Sequence, residues 1–177
     1  ISEGAKVSYF GTQPVIWLQK VLELILQPIL IGYQDIPERQ EQSPLYFNME
    51  QRGHILLVSS PGFGKSTFLQ NFAMDVIRKH TPEQVHFYLY DFGTSGLISI
   101  SDFPHVADYF TLDETEKIMK SLRFLNREIK TRKHALSQAR ATNLRQYNQL
   151  SDESFPTIFI EIDGFDSVMD APFFDAF

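Results

Sequence analysis

Residues 59–66 read Ser-Ser-Pro-Gly-Phe-Gly-Lys-Ser, between a short apolar run and an amphipathic stretch. This arrangement restricts the fold more than any other feature of the chain. The run Ile55-Leu56-Leu57-Val58 predicts a strand buried on both faces. From Lys65 to Lys79 two rows, Phe68-Phe72-Val76 and Leu69-Ala73-Ile77, recur at steps of four and predict a helix. Gly62 and Gly64 let the connecting backbone curl where other residues would clash.

Strand, glycine turn and helix in that order, with Gly64-Lys65-Ser66 closing the turn, match the phosphate-binding pattern G-x-x-x-x-G-K-[ST]. In such a loop successive backbone N–H groups point inward at phosphate oxygens, and the helix N-terminus faces the same anion. Gly62, Phe63, Gly64, Lys65, Ser66 and Thr67 are therefore the candidate nucleotide-binding residues. Lys65 is expected to reach the β- and γ-phosphates and the Ser66 hydroxyl to ligate Mg²⁺, with Thr67 near the α-phosphate. The first position of the pattern is Ser59 rather than glycine, and its Cβ is expected to tighten the loop. The competing reading is an ordinary strand–helix turn with a surface lysine.

The rest of the chain extends the alternation. Before Gly53 the sequence is polar and punctuated by proline, and Asp35–Pro44 (DIPERQEQSP) predicts a connector with a short strand at Leu45–Phe47 after it. Residues 1–52 are read as a lead-in and 53–177 as the folded unit. Val85–Phe92 (VHFYLYDF) predicts a second strand and Gly93–Asp108 a loop. Thr111 and Glu114 form a capping-box pattern ahead of a helix carrying Ile118, Leu122, Leu125, Ile129 and Leu136 on one face. A further helical piece covers Asn143–Leu150, and Thr157–Ile162 (TIFIEI) predicts a third strand ending at Asp163. The result is an α/β unit with a mainly parallel central sheet flanked by helices.

Asp163 ends its apolar strand where a second magnesium-binding residue is needed, so Ser66 and Asp163 are the candidate metal ligands. In many ATPases the next residue is a glutamate that polarises water. Here it is Gly164, and no catalytic residue is assigned. Loss of a positioned base costs ~10²–10⁴-fold in rate, which predicts weak hydrolysis. Asp166 is offset from the required position, and Glu161 is expected on the same side of the strand as Asp163, facing a neighbouring element.

Composition narrows the partners. Without cysteine there is no disulfide framework, thiolate zinc site or cysteine nucleophile. Sixteen Lys and Arg against 22 Asp and Glu argue against a nonspecific nucleic-acid binder. The basic residues Lys130, Arg132, Lys133, His134 and Arg140 are read as a solvated helix face, and the five histidines show no metal-ligand spacing. The apolar stretch Val15–Leu26 is interrupted by Gln19, Lys20 and Glu23 and is too short to span a bilayer. Asp91, ending the second strand, has two readings: the edge of the nucleotide site or a loop anchor. The late aromatics Phe165, Phe173, Phe174 and Phe177 likewise suit a core or a partner-facing surface.

Three further stretches carry a family resemblance. They are Ile31–Pro44 with Gly53-His54, the segment HFYLYDFGTSGL from His86 to Leu97, and Arg127–Tyr147 with its Asn143-Leu144-Arg145-Gln146-Tyr147-Asn148 turn. Together they resemble FtsK/SpoIIIE-type ATPase modules of the RecA-like P-loop group. More narrowly they resemble the tandem modules of type VII secretion motors, the EssC/EccC group, over about residues 31–169.

The resemblance implies a RecA-like fold, ATP and Mg²⁺ as cofactors, and a degenerate, C-terminal module that docks substrates and regulates active neighbours. It implies neighbouring ATPase modules and secreted helical-hairpin proteins of the WXG100 type as partners, with no nucleic acid. It also implies a cytoplasmic position tethered to a membrane through distant parts of a longer protein. The alternatives are an active DNA translocase of the FtsK branch and an interaction module that binds no nucleotide. A RecA-like sheet needs strands beyond Asp163 that residues 164–177 are too few to supply, and the chain begins with Ile1, so a longer module is expected.

Overall fold

The computed structural model describes residues 28–48, 53–169 and 171–174. A parallel three-stranded sheet forms its centre. Strand β3 (Val85–Asp91) lies between β4 (Val106–Thr111) and β5 (Thr157–Asp163). A two-stranded antiparallel hairpin, β1 (Ile29–Ile36) and β2 (Glu41–Phe47), forms a separate sheet. Helix α1 spans Lys65–Lys79, α2 Thr115–Gln138 and α3 Leu144–Leu150.

Alternation along β3 explains why it is central. Val85, Phe87 and Leu89 enter one apolar cluster with Phe72, Ala73 and Val76 of α1. Tyr90, with Phe92 just beyond the strand, enters another with Phe110 and with Ile118 of α2. A parallel strand buried on both faces needs this continuous apolar and aromatic character. Tyr90 keeps its hydroxyl satisfied inside the core by a 2.7 Å hydrogen bond with the Ser121 hydroxyl. On the α1 side Phe159 of β5 stacks on Phe87 and meets Phe72 edge-on, so one aromatic group joins helix and sheet.

The predicted helices at 65–79 and 143–150 and the strands at 85–92 and 157–163 stand within a residue or so of their expected bounds. Asn143 caps α3, its side-chain oxygen accepting from Gln146 N–H at 2.8 Å. Four expectations need correction. The connector 35–44 is half of the hairpin, and Ile29 and Phe47 pack into the α1 cluster. The expected loop 93–108 ends early, because its last residues, 106–108, open β4, where pairing with β3 supplies what their mixed polarity does not. Thr111 does not cap α2, which begins at Thr115. The Glu114 carboxylate accepts from Thr111 N–H at 2.9 Å, while the Thr111 hydroxyl donates to Asp113 and Glu114.

The run 55–58 forms no strand. Leu56 and Val58 are 84% and 85% exposed. A short apolar run becomes a buried strand only beside a ladder partner, and it has none among the described residues. The stretch Val15–Leu26 and Phe177 lie outside the described residues. No helix among those described is long and apolar enough to cross a membrane.

Candidate functional site

The loop leading into α1 has the backbone that its glycines permit. Gly62 and Gly64 both take φ of 82°, in the left-handed region. Gly64 is the N-cap of α1, and its carbonyl accepts from Phe68 N–H at 2.8 Å. No side chain caps this end and no residue of the first turn is acidic, so the first N–H groups of α1 have no capping side chain. Such an end favours an anion.

Lys65 folds back over the loop, its Nζ donating to the carbonyls of Ser59 and Ser60 at 2.9 and 3.2 Å. Phe63 and Thr67 are exposed.

Ser66, in the first turn of α1, meets the end of β5. Its hydroxyl donates to Asp163 Oδ2 at 2.5 Å, across 97 residues of sequence. The two predicted metal ligands are therefore in direct contact. A hydroxyl and a carboxylate are hard oxygen donors, and Mg²⁺ takes few protein oxygens, completing its octahedron with phosphates and water. The donor set fits Mg²⁺, and the open glycine loop beside it fits a polyphosphate. When bound, Mg²⁺ would neutralise phosphate charge. Ser66 and Asp163 would hold it, and Lys65 would exchange its two carbonyl partners for phosphate oxygens.

Asp91 faces Asp163 directly, because β3 and β5 pair Asp91 with Asp163 at their carboxyl ends. Its Oδ2 accepts from Leu97 N–H at 2.7 Å and from the Tyr109 hydroxyl at 3.1 Å, and its buried Oδ1 has no partner. Asp91 thus anchors the following loop and lies beside Asp163 in the strand register.

Glu161 lies two residues before Asp163 on the same side of β5 and is 5% exposed. Neither carboxylate oxygen has a partner, and burial pushes the carboxyl up to about 8. The position after Asp163 holds no side chain. Gly164 has φ of 71°, and a Cβ there would lie 2.7 Å from Gly93 N and 2.8 Å from the Phe92 carbonyl carbon.

The remaining candidates separate from the site. Arg132 is held by Glu128 Oε1 at 2.8 Å and the Pro156 carbonyl at 2.6 Å, while Lys130, Lys133, His134 and Arg140 are exposed. His80 and His105 are buried and bonded to the backbone carbonyls of Val76 and His80. Phe173 is core, whereas Phe165 and Phe174 are exposed. Sequence reasoning did not single out Gln70, Gly93, Gly96 and Tyr109, which shape the site from one side. The available signal was a pair of glycines three residues apart just after a strand that ends in aspartate.

Comparison with known proteins is consistent across sequence and structure. Residues 31–171 match the model of the FtsK/SpoIIIE family. The type VII secretion system protein EssC of Staphylococcus aureus is 49% identical over 149 residues, covering 84% of this chain. The ESX secretion system protein EccC of Geobacillus thermodenitrificans is 37% identical over 138 residues, covering 78% of this chain. The chain spans about a tenth of the length of these curated relatives, 10% and 9% respectively.

Two solved structures align with 81% of the chain. The cytoplasmic domain of EssC has a TM-score of 0.76 at 33% identity, over 28% of its own length. EssC (ATPases 2 and 3) from Geobacillus thermodenitrificans has a TM-score of 0.77 at 36% identity, over 27% of its length.

Proposed function

This chain belongs to the FtsK/SpoIIIE family, and from that premise we propose that it is a magnesium–nucleotide-binding module of a type VII secretion motor that hydrolyses ATP poorly. The observation that carries the reading is the 2.5 Å contact between Ser66 and Asp163, beside a glycine loop at a helix N-terminus. Gly62, Phe63, Gly64, Lys65, Ser66 and Thr67 would hold the phosphates, and Ser66 and Asp163 the Mg²⁺.

Poor hydrolysis is supported at Gly164. The carboxylate expected after the magnesium aspartate is missing, and the Phe92–Gly93 backbone occupies the space a side chain would need. Work in docking and regulation follows from the same premise. The module would act beside neighbouring ATPase modules and receive secreted helical-hairpin proteins, in a cytoplasmic position on a membrane-anchored motor. Exposed Phe165, Met169 and Phe174 support a docking role, since aromatic and methionine side chains are enriched at interfaces. The division at residue 53 belongs to the proposal too, with the hairpin tied to the unit by Ile29 and Phe47.

Calorimetric titration of Mg·ATP into the chain tests the reading. Saturable binding is expected, weakened by at least about tenfold in Lys65→Ala, whose loss removes a charged phosphate contact. Absence of saturable heat up to roughly millimolar nucleotide overturns it. Steady-state phosphate release tests the second half, and turnover in the range of about 1–100 s⁻¹ refutes poor hydrolysis.

A further inference from the structure

The loop between β3 and β4 closes on Ser66 and Asp163, the predicted metal ligands. A Cβ at Gly96 would lie 2.8 Å from Ser66 Cβ, 3.2 Å from Ser66 Oγ and 3.3 Å from Asp163 Oδ2. A Cβ at Gly93 would lie 3.4 Å from the same Asp163 oxygen. The loop backbone therefore touches both predicted ligands, and at residue 96 only glycine fits.

This approach is held by named contacts. Gln70 of α1 donates from Nε2 to the Gly96 carbonyl and contacts the Ser99 hydroxyl at 3.3 Å. Asp91 Oδ2 accepts from Leu97 N–H at 2.7 Å, and the Tyr109 hydroxyl, from β4, donates to that same oxygen at 3.1 Å. Ser95, between the two glycines, has φ of 58°, a left-handed conformation that a non-glycine residue keeps only when its surroundings hold it there. One pin comes from the helix that carries Ser66. The other comes from the strand aligned residue for residue with the one that carries Asp163.

We propose that the Gly93–Leu97 loop is a fixed wall of the metal half-site, and that Gln70 and Asp91 are positioning residues that hold it so that Ser66 and Asp163 stay together for Mg²⁺. Neither residue is assigned to touch phosphate or metal. They act through the backbone of Gly96 and Leu97. This inference rests on the magnesium–nucleotide reading of the same site and adds the residues that set its metal dependence. Outer-shell partners of this kind change metal affinity by roughly 10–100-fold when removed.

The test separates nucleotide binding from its magnesium dependence. ATP is titrated into the parent chain, Gln70→Ala, Asp91→Ala and Asp91→Asn, with Mg²⁺ and with EDTA in its place. In Gln70→Ala and Asp91→Ala the gain in affinity conferred by Mg²⁺ is expected to shrink about tenfold, with ATP affinity in EDTA unchanged. Asp91→Asn keeps an oxygen acceptor for Leu97 N–H and is expected to stay near the parent. Hydrogen exchange at the Leu97 amide, measured without nucleotide, is expected to quicken in Gln70→Ala and Asp91→Ala.

Equal losses with and without Mg²⁺ mean a general structural role and overturn the inference, as does an unchanged or larger magnesium gain in Gln70→Ala. In both cases the reading of the site survives. A parent chain that binds ATP with no gain from Mg²⁺ removes that reading and the inference together. Should Asp91→Ala fail to fold, Gln70→Ala decides, since its side chain is only partly buried on the surface of α1.

Discussion

Glu161 makes the stability of this fold depend on pH in an unusual direction. The residue is 5% exposed, and its carboxyl has no hydrogen-bond partner on either oxygen and is pushed by burial from 4.5 up to about 8. In the unfolded chain it loses its proton near the lower value, while in the folded chain it keeps the proton up to the higher one. Between them the native state binds more protons than the unfolded state, so stability falls as pH rises through this window. The interval from 4.5 to about 8 corresponds to roughly 5 kcal/mol, a ceiling that backbone relaxation and entering water reduce. Below 4.5 the group costs the fold little in charge.

Glu161→Gln keeps the shape and removes the ionisation. The measurement is urea unfolding followed by circular dichroism at intervals from pH 5 to 9, for the parent and the variant. Other carboxylates and histidines also titrate, so the difference between the two chains is the quantity to read. The variant is expected to match the parent near pH 5 and to exceed it by several kcal/mol near pH 9, with a slope of up to about 1.4 kcal/mol per pH unit in between. A difference that stays constant across the range refutes the argument. A variant that is destabilised most at high pH shows that the ionised carboxylate is held by a favourable partner instead.

Two further perturbations are read from the same geometry. Gly164→Glu, which supplies the carboxylate absent after Asp163, is expected to leave phosphate release unraised and to lower stability by roughly 2–5 kcal/mol, since a left-handed backbone and a collision with Phe92–Gly93 meet there. Phosphate-release assays and thermal melts read the two effects, and a gain in turnover at unchanged stability refutes both. Asn148→Ala removes a pair of 2.9 Å hydrogen bonds, one to Phe155 N–H and one to its carbonyl, and is expected to cost about 1–3 kcal/mol in chemical unfolding while Mg·ATP affinity stays the same. A neutral stability effect would show that water replaces both bonds.

What the sequence disclosed and what it withheld differ in physical range. Helix α1 was legible because its apolar rows and glycine start are local, and β5 because an apolar run ends in a charge. The hairpin was hidden by its prolines, which usually punctuate loops. Pro37 opens a short 3-10 turn and Pro44 pairs with Tyr33 in a two-stranded ribbon, where a missing N–H can face outward. Strand β4 was hidden because Asp108 and Thr111 dilute its pattern, and only the register with β3 makes it a strand. The run at 55–58 shows the converse: strong local character without a ladder partner among the described residues.

The candidate site divides in the same way. Lys65, Ser66 and Asp163 stand in patterns that name their chemistry, although 97 residues separate Ser66 from Asp163. The pairing of Asp91 with Asp163 is a matter of register, which no local pattern encodes. Glycine is the harder case, because its type reports only that something must fit closely. Gly164 reads in sequence as a missing carboxylate. In the fold it is a left-handed residue pressed against the Phe92–Gly93 backbone, while Gly93 and Gly96 press in turn on Asp163 and Ser66. The three glycines form one packed unit around the end of β5. A carboxylate after Asp163 therefore requires the loop from Phe92 to Leu97 to take a different path, so a single substitution at 164 is not enough.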